Sequence, residues 1–474
     1  MFVGRKEELK KLKALIERPK SSFIAIYGRR RIGKTELVRH FCQINNLKKI
    51  EFSGKVDHTR KQQIKSFVSK IKRVYKNNAV VKDWNDAFML LEENVESLES
   101  SKKVVVFLDE LPWLDTAKSG FIGELSDFWN DFCSQRNNII LIVCGSAASY
   151  MLKKVIHNRG SLHGRLTDIL PLKQFDLSGV KEMLQAKGCR YSDKAIVDTY
   201  IALGGVAKYI ESLDCHLPPN KSIDSLCFRE DGLLKYEYEE LFSSLFRDSK
   251  THYEVMNVLA SKWTGFTQKE LSIATKISSV YLKVALQELM ASGFISMTKK
   301  FNQQKRDILY RATDSFSYFY HKWIKDNRYN SWEKVVTTPS YKSWSGFAFE
   351  NICHIHIEQI KKVLGISGVP TQTHYWNYRK EGEQGTQIDM IIEHTNGSKN
   401  IDIVECKYYN GKFVIDKSYK EKLQEKINIF DEQTKHRYNI RLIMITSNGI
   451  EKNEHYGDVV NESLELREIM EVIY

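Results

Sequence analysis

Three short stretches of the chain carry residues able to do chemistry. The first, GRRRIGKT, sets Gly28, Gly33, Lys34 and Thr35 at the spacing GxxxxGK[ST]. Glycines at those places let backbone amides turn inward around a triphosphate, Lys34 reaches the β and γ phosphates, and the Thr35 hydroxyl ligates magnesium. The second, VVVFLDELPWLD, ends an apolar run in Asp109 and Glu110. Asp109 is expected to hold that magnesium through water, and Glu110 to polarise the water that attacks the γ phosphate. A related run, IILIVCGSAASYM, ends in Ser146, which either faces the γ phosphate from a third strand tip or caps a following helix. ATP and Mg2+ are therefore the expected cofactors.

The third stretch lies near the C-terminus. GTQIDMII supplies Asp389, and IDIVECKYY supplies Glu405 and Lys407, sixteen and eighteen residues later. Period two puts Glu405 and Lys407 on one face of a strand. Two carboxylates on neighbouring strands grip a hard divalent cation through oxygen, and a lysine beside them positions or deprotonates water and steadies phosphate charge. That is a phosphodiester-cleaving set, set against the plainer alternative of a Glu405–Lys407 ion pair on a fold that does not cut. Cys353, His354 and His356 are close in sequence, but no second cluster completes a four-ligand site, so a structural role is expected.

These residues need rigid elements beneath them. FIAIY at 23–27, KIEFS at 49–53, VVVFLD at 104–109 and IILIVCG at 139–145 alternate with helical stretches, as a parallel sheet with crossover helices demands. The expected fold class is α/β: a P-loop parallel-sheet core over 1–175, a helical lid over 176–246, a winged helix-turn-helix over 247–320, a linker over 321–345 and a C-terminal α/β domain over 346–474. In the third segment Leu271, Ile273, Ile277, Leu282, Leu286 and Leu289 are spaced to pack inward. Its second helix offers one cation, Lys283, while the following hairpin offers Lys299, Lys300, Lys305, Arg306 and Arg311 for phosphate contacts. Protein docking is the competing use of that module.

At 474 residues the chain is long enough for several cores, and a 42% apolar share excludes wholesale disorder. No apolar run approaches the length of a membrane span, and the charged start MFVGRKEELKK does not read as a secretory signal, so no membrane partner and a cytoplasmic location are expected. Eight cysteines without a CxxC pair point to reduced thiols and no disulfide. A net charge of +13 favours a polyanionic partner.

Taken together, FVGRKEEL, GRRRIGKTEL, FLDELPWLD, IVCGSAASYM and LHGRLTDILPL resemble the archaeal-type AAA+ ATPases, relatives of the signalling STAND ATPases. The resemblance places Phe2, Val3, Gly4 and Arg5 by the adenine and makes Arg165 a γ-phosphate sensor or finger, with a surface salt bridge as the alternative. GGVAKYI is similar to the family's Gly-Gly-x-Pro lid motif, with Ala207 where proline is usual. The C-terminal pattern resembles the restriction-endonuclease-like PD-(D/E)xK nucleases, which implies a metal ligand on the first helix, here Glu350 in SGFAFENICH, besides Asp389 and Glu405. The implied function is an ATPase coupled to magnesium-dependent cleavage of nucleic acid, DNA before RNA, in defence against foreign DNA. A nucleotide-switched DNA-binding regulator or scaffold is the other class of expectation. Related ATPases form rings or rest as monomers, so a homo-oligomer is among the expected partners.

Overall fold

The computed structural model describes residues 2–74, 80–98, 102–246, 248–301, 308–326, 328–379 and 385–472. The chain divides into two compact units, residues 1–174 and 175–474. In the first unit β1 (Ser22–Tyr27), β2 (Lys48–Ser53), β3 (Val104–Asp109), β4 (Ile139–Gly145) and β5 (Asp168–Pro171) form a parallel sheet in the order β2-β3-β4-β1-β5. Alternate side chains enter different cores. Ile24 and Ile26 join Leu12, Leu15, Leu37, Val38 and Phe41, whereas Phe23 and Ala25 join Phe52, Phe67, Trp84 and Phe121. Burial on both faces is why these strands read as unbroken apolar runs.

β5 is not among the strands the sequence pattern identifies. It is four residues long with two side chains exposed, and DILP offers neither alternation nor an apolar run. Pairing with β1 and an Arg18–Asp168 ion pair hold it at the sheet edge. Because β4 lies between β1 and β3, the tips of these three strands sit side by side at the carboxyl edge, where parallel sheets take their ligands.

The second unit opens with five helices, Leu177–Ala186, Asp193–Leu203, Ala207–Ser212, Pro219–Cys227 and Glu237–Leu245. Asp176 and Ser192 cap the first two through their side chains. Gly205 is required by close approach: a Cβ there would stand 1.7 Å from the Phe175 carbonyl oxygen. Ala207 takes the first helical position after Gly205 and Val206, a place proline also tolerates because its missing N–H has no helical partner. Contrary to the expectation of reduced thiols throughout, Cys189 and Cys215 form a disulfide, and the other six cysteines are buried and free. Their separation of 26 residues is closed by helix packing, which spacing alone does not reveal.

Next come helix Ser249–Leu259, β6 (Phe266–Thr267), helices Gln268–Thr275 and Ser279–Ala291, and the antiparallel pair β7 (Ile295–Lys300) and β8 (Ile308–Ala312). Leu271, Leu282, Leu286 and Leu289 are buried, Ile277 is half-buried, but Ile273 is 70% exposed. Two residues along a helix from Leu271, it faces away. The stretch expected as a linker is mostly exposed or half-buried, but it sends Trp323, Trp332 and Trp344 into the core.

The C-terminal strands are β9 (Thr371–Tyr378), β10 (Thr386–His394), β11 (Asn400–Lys407), β12 (Asn439–Thr446) and β13 (Glu462–Glu465). β9, β10 and β11 run antiparallel in sequence, and β12 and β13 are added in parallel after helices Lys417–Gln433 and Glu454–Val459. β7 pairs in parallel with β9, Lys299 opposite His374 and Lys300 opposite Tyr375. The hairpin and the C-terminal strands thus make one eight-stranded sheet, β13-β12-β11-β10-β9-β7-β8-β6. Segments expected as separate lid, winged helix and C-terminal domain accordingly share one compact unit.

Candidate functional sites

In the first unit the loop between β1 and helix Lys34–Ile44 is shaped by its glycines. Gly28 has φ 151°, and a Cβ there would lie 2.1 Å from the Leu172 carbonyl oxygen, while Gly33 has φ 91°. The helix begins without a side-chain cap, so its first-turn N–H groups remain for an anion. Lys34 is buried, its Nζ donating to the carbonyl oxygens of Gly28 (2.8 Å) and Arg29 (2.7 Å). Thr35 Oγ1 donates to Asp109 Oδ2 at 2.8 Å, joining the two groups expected to share a metal. Burial, opposed by that hydrogen bond, raises the Asp109 pKa. This oxygen set fits magnesium, whose ligands are a hydroxyl, a carboxylate and water.

Glu110 turns the corner after β3 with φ 47°, a left-handed conformation that costs a non-glycine residue energy. The turn delivers its carboxylate to Ser146, whose Oγ (2.8 Å) and backbone N–H (3.3 Å) both donate to Oε2. Ser146 is therefore an orienting partner of Glu110. It is not a cap, since Ala147 precedes the helical turn Ala148–Tyr150. Ser146→Ala should lower ATP turnover about tenfold while leaving ATP affinity unchanged, because one hydrogen bond to a charged group is lost. Steady-state kinetics showing unchanged kcat would remove Ser146 from that role.

The N-terminal segment meets the loop. Gly4 and Arg5 have φ 64° and 59°, Arg5 Nη2 donates to the Ile32 carbonyl oxygen at 3.1 Å, and Phe2 stacks on His40 with ring centroids 4.1 Å apart. Arg165 is not drawn in. It is exposed in a turn, and among the described residues its side chain makes no ion pair.

In the second unit Asp389 lies within β10, just past the Met390–Val404 pair where its ladder with β11 stops, and its Oδ2 accepts the Cys406 N–H at 2.9 Å. Glu405 is 3% exposed. Its Oε1 contacts Lys407 Nζ at 2.8 Å and accepts the Tyr419 hydroxyl at 2.8 Å, and its Oε2 accepts Lys426 Nζ at 2.8 Å. Tyr419 and Lys426 both project from helix Lys417–Gln433. Sequence reasoning missed them, because nothing in KSYKEKLQEK separates Lys426 from its solvated neighbours. Glu350 comes from helix Pro339–Ile355 and lines a pocket with Asp389 and Arg311. Arg311, expected as a phosphate contact on the hairpin, is instead 7% exposed, with Nη1 2.9 Å from His354 Nε2. That same nitrogen lies 3.0 Å from the Asp389 carbonyl oxygen. His354 and His356 are thus structural, the latter accepting the Leu177 N–H at 2.9 Å. Lys305 and Arg306 lie outside the described residues.

Charge is concentrated here. Burial and the nearby Asp389 push the Glu350 carboxyl up to about 9, and burial and Glu405 push Asp389 up to about 7. Burial would raise Glu405 too, but Lys407 and Lys426 hold it below its ordinary value. Burial opposes the Lys407 ammonium, yet Glu405, Tyr419 and Asp389 outweigh it and keep its pKa above the usual lysine range. An ammonium held protonated in this way is suited to stabilising negative charge and poorly suited to acting as a base.

Among the described residues no three His, Cys, Asp or Glu side chains converge as a ready ligand cage. Glu350, Asp389 and Glu405 nonetheless repel one another in a buried place, and a divalent cation bound there would relieve the repulsion, at the cost of loosening the hold of Lys407, Tyr419 and Lys426 on Glu405. Metal affinity should then rise with pH from about 6 to about 9, because protons on Asp389 and Glu350 must leave before metal binds. Calorimetric Mn2+ titrations that show a pH-independent affinity would exclude both as ligands.

The first unit has the loop, strand order and acidic strand tip of a P-loop nucleotide-binding domain. Residues 2–213 match the family described as an ATPase domain predominantly from Archaea, and the chain carries an ATPase domain of that archaeal P-loop type. An uncharacterized protein of Methanocaldococcus jannaschii is 25% identical over 414 residues, covering 86% of this chain and 88% of the relative. An uncharacterized ATP-binding protein of the same organism is 45% identical over 49 residues, 10% of this chain and 83% of the relative. Among solved structures, the Walker-type ATPase of Pyrococcus abyssi is similar at TM-score 0.49 and 20% identity, over 68% of this chain and 96% of that one. The ORC2 protein of Aeropyrum pernix, in ADPNP–ADP complexes, is similar at TM-score 0.45 and 13% identity, over 70% and 95%. Among the described residues no helix is long and apolar enough to cross a membrane.

Proposed function

We propose that the protein is an ATP-controlled, metal-dependent nuclease. The observation that carries this reading is the arrangement of Asp389, Glu405 and Lys407 on paired strands β10 and β11, with Glu350 lining the pocket that Asp389 shares. The order helix Pro339–Ile355, β9, β10, β11, helix Lys417–Gln433, β12 supports it, since a restriction-endonuclease-like core needs a carboxylate-bearing first helix ahead of its strands. Glu350, Asp389 and Glu405 would hold Mg2+, which polarises a phosphoryl oxygen and lowers the pKa of water when bound. Lys407 steadies the developing negative charge. In the first unit Thr35 and Asp109 would hold the nucleotide's Mg2+, Lys34 and the loop amides its phosphates, and Glu110 the attacking water.

Control by ATP has a route inside the second unit. Tyr408, next to Lys407, hydrogen-bonds Asp198 of helix Asp193–Leu203, and Lys194 Nζ donates to the same Tyr408 hydroxyl at 3.2 Å. A displaced lid helix therefore pulls on the strand that carries Lys407. Lys299 and Lys300 supply cations for nucleic-acid phosphates, DNA being the proposed polymer and defence against foreign DNA the proposed setting. An exposed Arg165 suits an assembly in which it serves a neighbouring copy's nucleotide.

A second reading has its own support. Helix Ser279–Ala291 exposes Val280 (74%), Tyr281 (69%) and Val284 (42%), where a helix that reads base edges needs polar donors. That face favours protein docking and a regulator that does not cut. Purified full-length chain incubated with Mg2+ or Mn2+ and labelled DNA or RNA, with and without ATP, separates the two: strand scission supports the nuclease, and its absence throughout supports the regulator.

A further inference from the structure

Three aromatic rings form a column that ends beside the candidate cleavage site. Tyr318 is 2% exposed and anchors it. Trp263 lies on Tyr318 with centroids 3.8 Å apart, and Phe347 follows at 5.9 Å, each at 18° to Trp263. Phe347 is the solvent end, 39% exposed. It stands three residues before Glu350 in helix Pro339–Ile355, so both side chains lie on one helix face. Trp263, Phe347, Glu350 and Asp389 line one pocket, together with Gln387 and Arg311.

The enclosed volume of that pocket, about 20 Å³, admits a water molecule and not a base. A flat ligand would therefore have to rest on its rim, against the exposed part of Phe347. We propose that this column is a stacking platform for one unpaired nucleobase, which places the phosphate of that nucleotide at the carboxylates and makes single-stranded or frayed nucleic acid the preferred substrate. The proposal rests on the nuclease reading and adds its substrate class. Stacking is tolerant of base identity because every base has a π face, so the platform selects unpaired over paired strands and not one sequence over another. Thr264 and Gln387 on the same wall offer polar groups to a base edge.

The test is affinity of the full chain for a labelled 12-nucleotide thymidine strand and for a duplex of equal length, in metal-free buffer so that nothing is cut. Phe347 is partly exposed, so Phe347→Leu and Phe347→Tyr should fold, which thermal melting checks. Phe347→Leu should weaken single-strand binding roughly tenfold or more, leave duplex binding within about twofold, and be rescued by Phe347→Tyr. Unchanged single-strand affinity, or equal loss for both nucleic acids, overturns the platform. Cleavage of single strand and duplex at equal rates by both wild type and Phe347→Leu would likewise overturn it while leaving the nuclease reading intact. Selective, Phe347-dependent single-strand binding without scission in Mg2+ or Mn2+ would uphold the platform and sink the nuclease reading.

Discussion

Lys34→Ala should abolish ATP binding, lowering affinity by roughly a hundredfold or more, since an ammonium that makes charge-assisted hydrogen bonds to two phosphates contributes about 1.5–3 kcal/mol through each. Its two present acceptors, the carbonyl oxygens of Gly28 and Arg29, sit in the loop itself, so the lysine is already held where phosphates must arrive. Glu110→Gln should behave differently. Binding uses amides and cations, whereas attack needs water polarised by a carboxylate, so ATP affinity should persist while kcat falls by roughly 10²- to 10⁴-fold. Glutamine still accepts from Ser146, which keeps the local geometry and isolates the loss of charge. Equilibrium binding with a fluorescent ATP analogue and phosphate-release kinetics read the two effects separately. Unchanged turnover in Glu110→Gln would remove that residue from hydrolysis.

The second large effect is expected in the C-terminal site. Asp389→Ala should lose metal and scission together, while Lys407→Ala should keep metal and lose roughly a hundredfold or more in rate, because an ammonium stabilises charge but cannot ligate a cation. Both variants should hydrolyse ATP at near wild-type rates. The structure adds a control that the sequence does not suggest. Glu405 is buried between Lys407 and Lys426, so Lys407→Ala leaves one cation in place and should fold. Removing both lysines strands a buried carboxylate and should cost about 3–5 kcal/mol of stability, visible as a lowered Tm. Equal melting of the single and double variants would show that Glu405 is not stabilised by this pair.

The nucleotide site was legible because its residues are close in sequence and sit at strand tips that burial on both faces makes conspicuous. Gly28 to Gly33 is one loop that runs straight into Lys34 and Thr35 at the start of a helix, and Asp109 and Glu110 close the apolar run of β3. The pairing of Glu110 with Ser146 was not legible, since it depends on β4 lying beside β3 and on the left-handed turn at Glu110. In the C-terminal site, alternation in ECK placed Glu405 and Lys407 together. Lys426 and Tyr419 escaped because their role comes from a helix crossing the sheet, which leaves no mark on local pattern. Arg311 was misjudged for a related reason. A basic residue in a polar hairpin looks solvated, yet Arg311 meets His354 of helix Pro339–Ile355 and lines a pocket with Trp263 and Glu350, contacts distant in sequence that bury its guanidinium. Ile273 shows the converse error, an apolar residue assigned to a core that lies on the opposite side of its helix.

The proposed control of scission in the second unit by nucleotide in the first is tested most directly by the rate of Mg2+- or Mn2+-dependent cleavage of a labelled single-stranded DNA by wild type and by Lys34→Ala, each with ATP, with ADP and without nucleotide. Wild-type cleavage should change severalfold or more between nucleotide states and Lys34→Ala should cut at one rate in all of them, because a protein that cannot bind the ligand cannot shift with it. Wild-type cleavage that is the same in every nucleotide state, or no cleavage in any, would contradict that control.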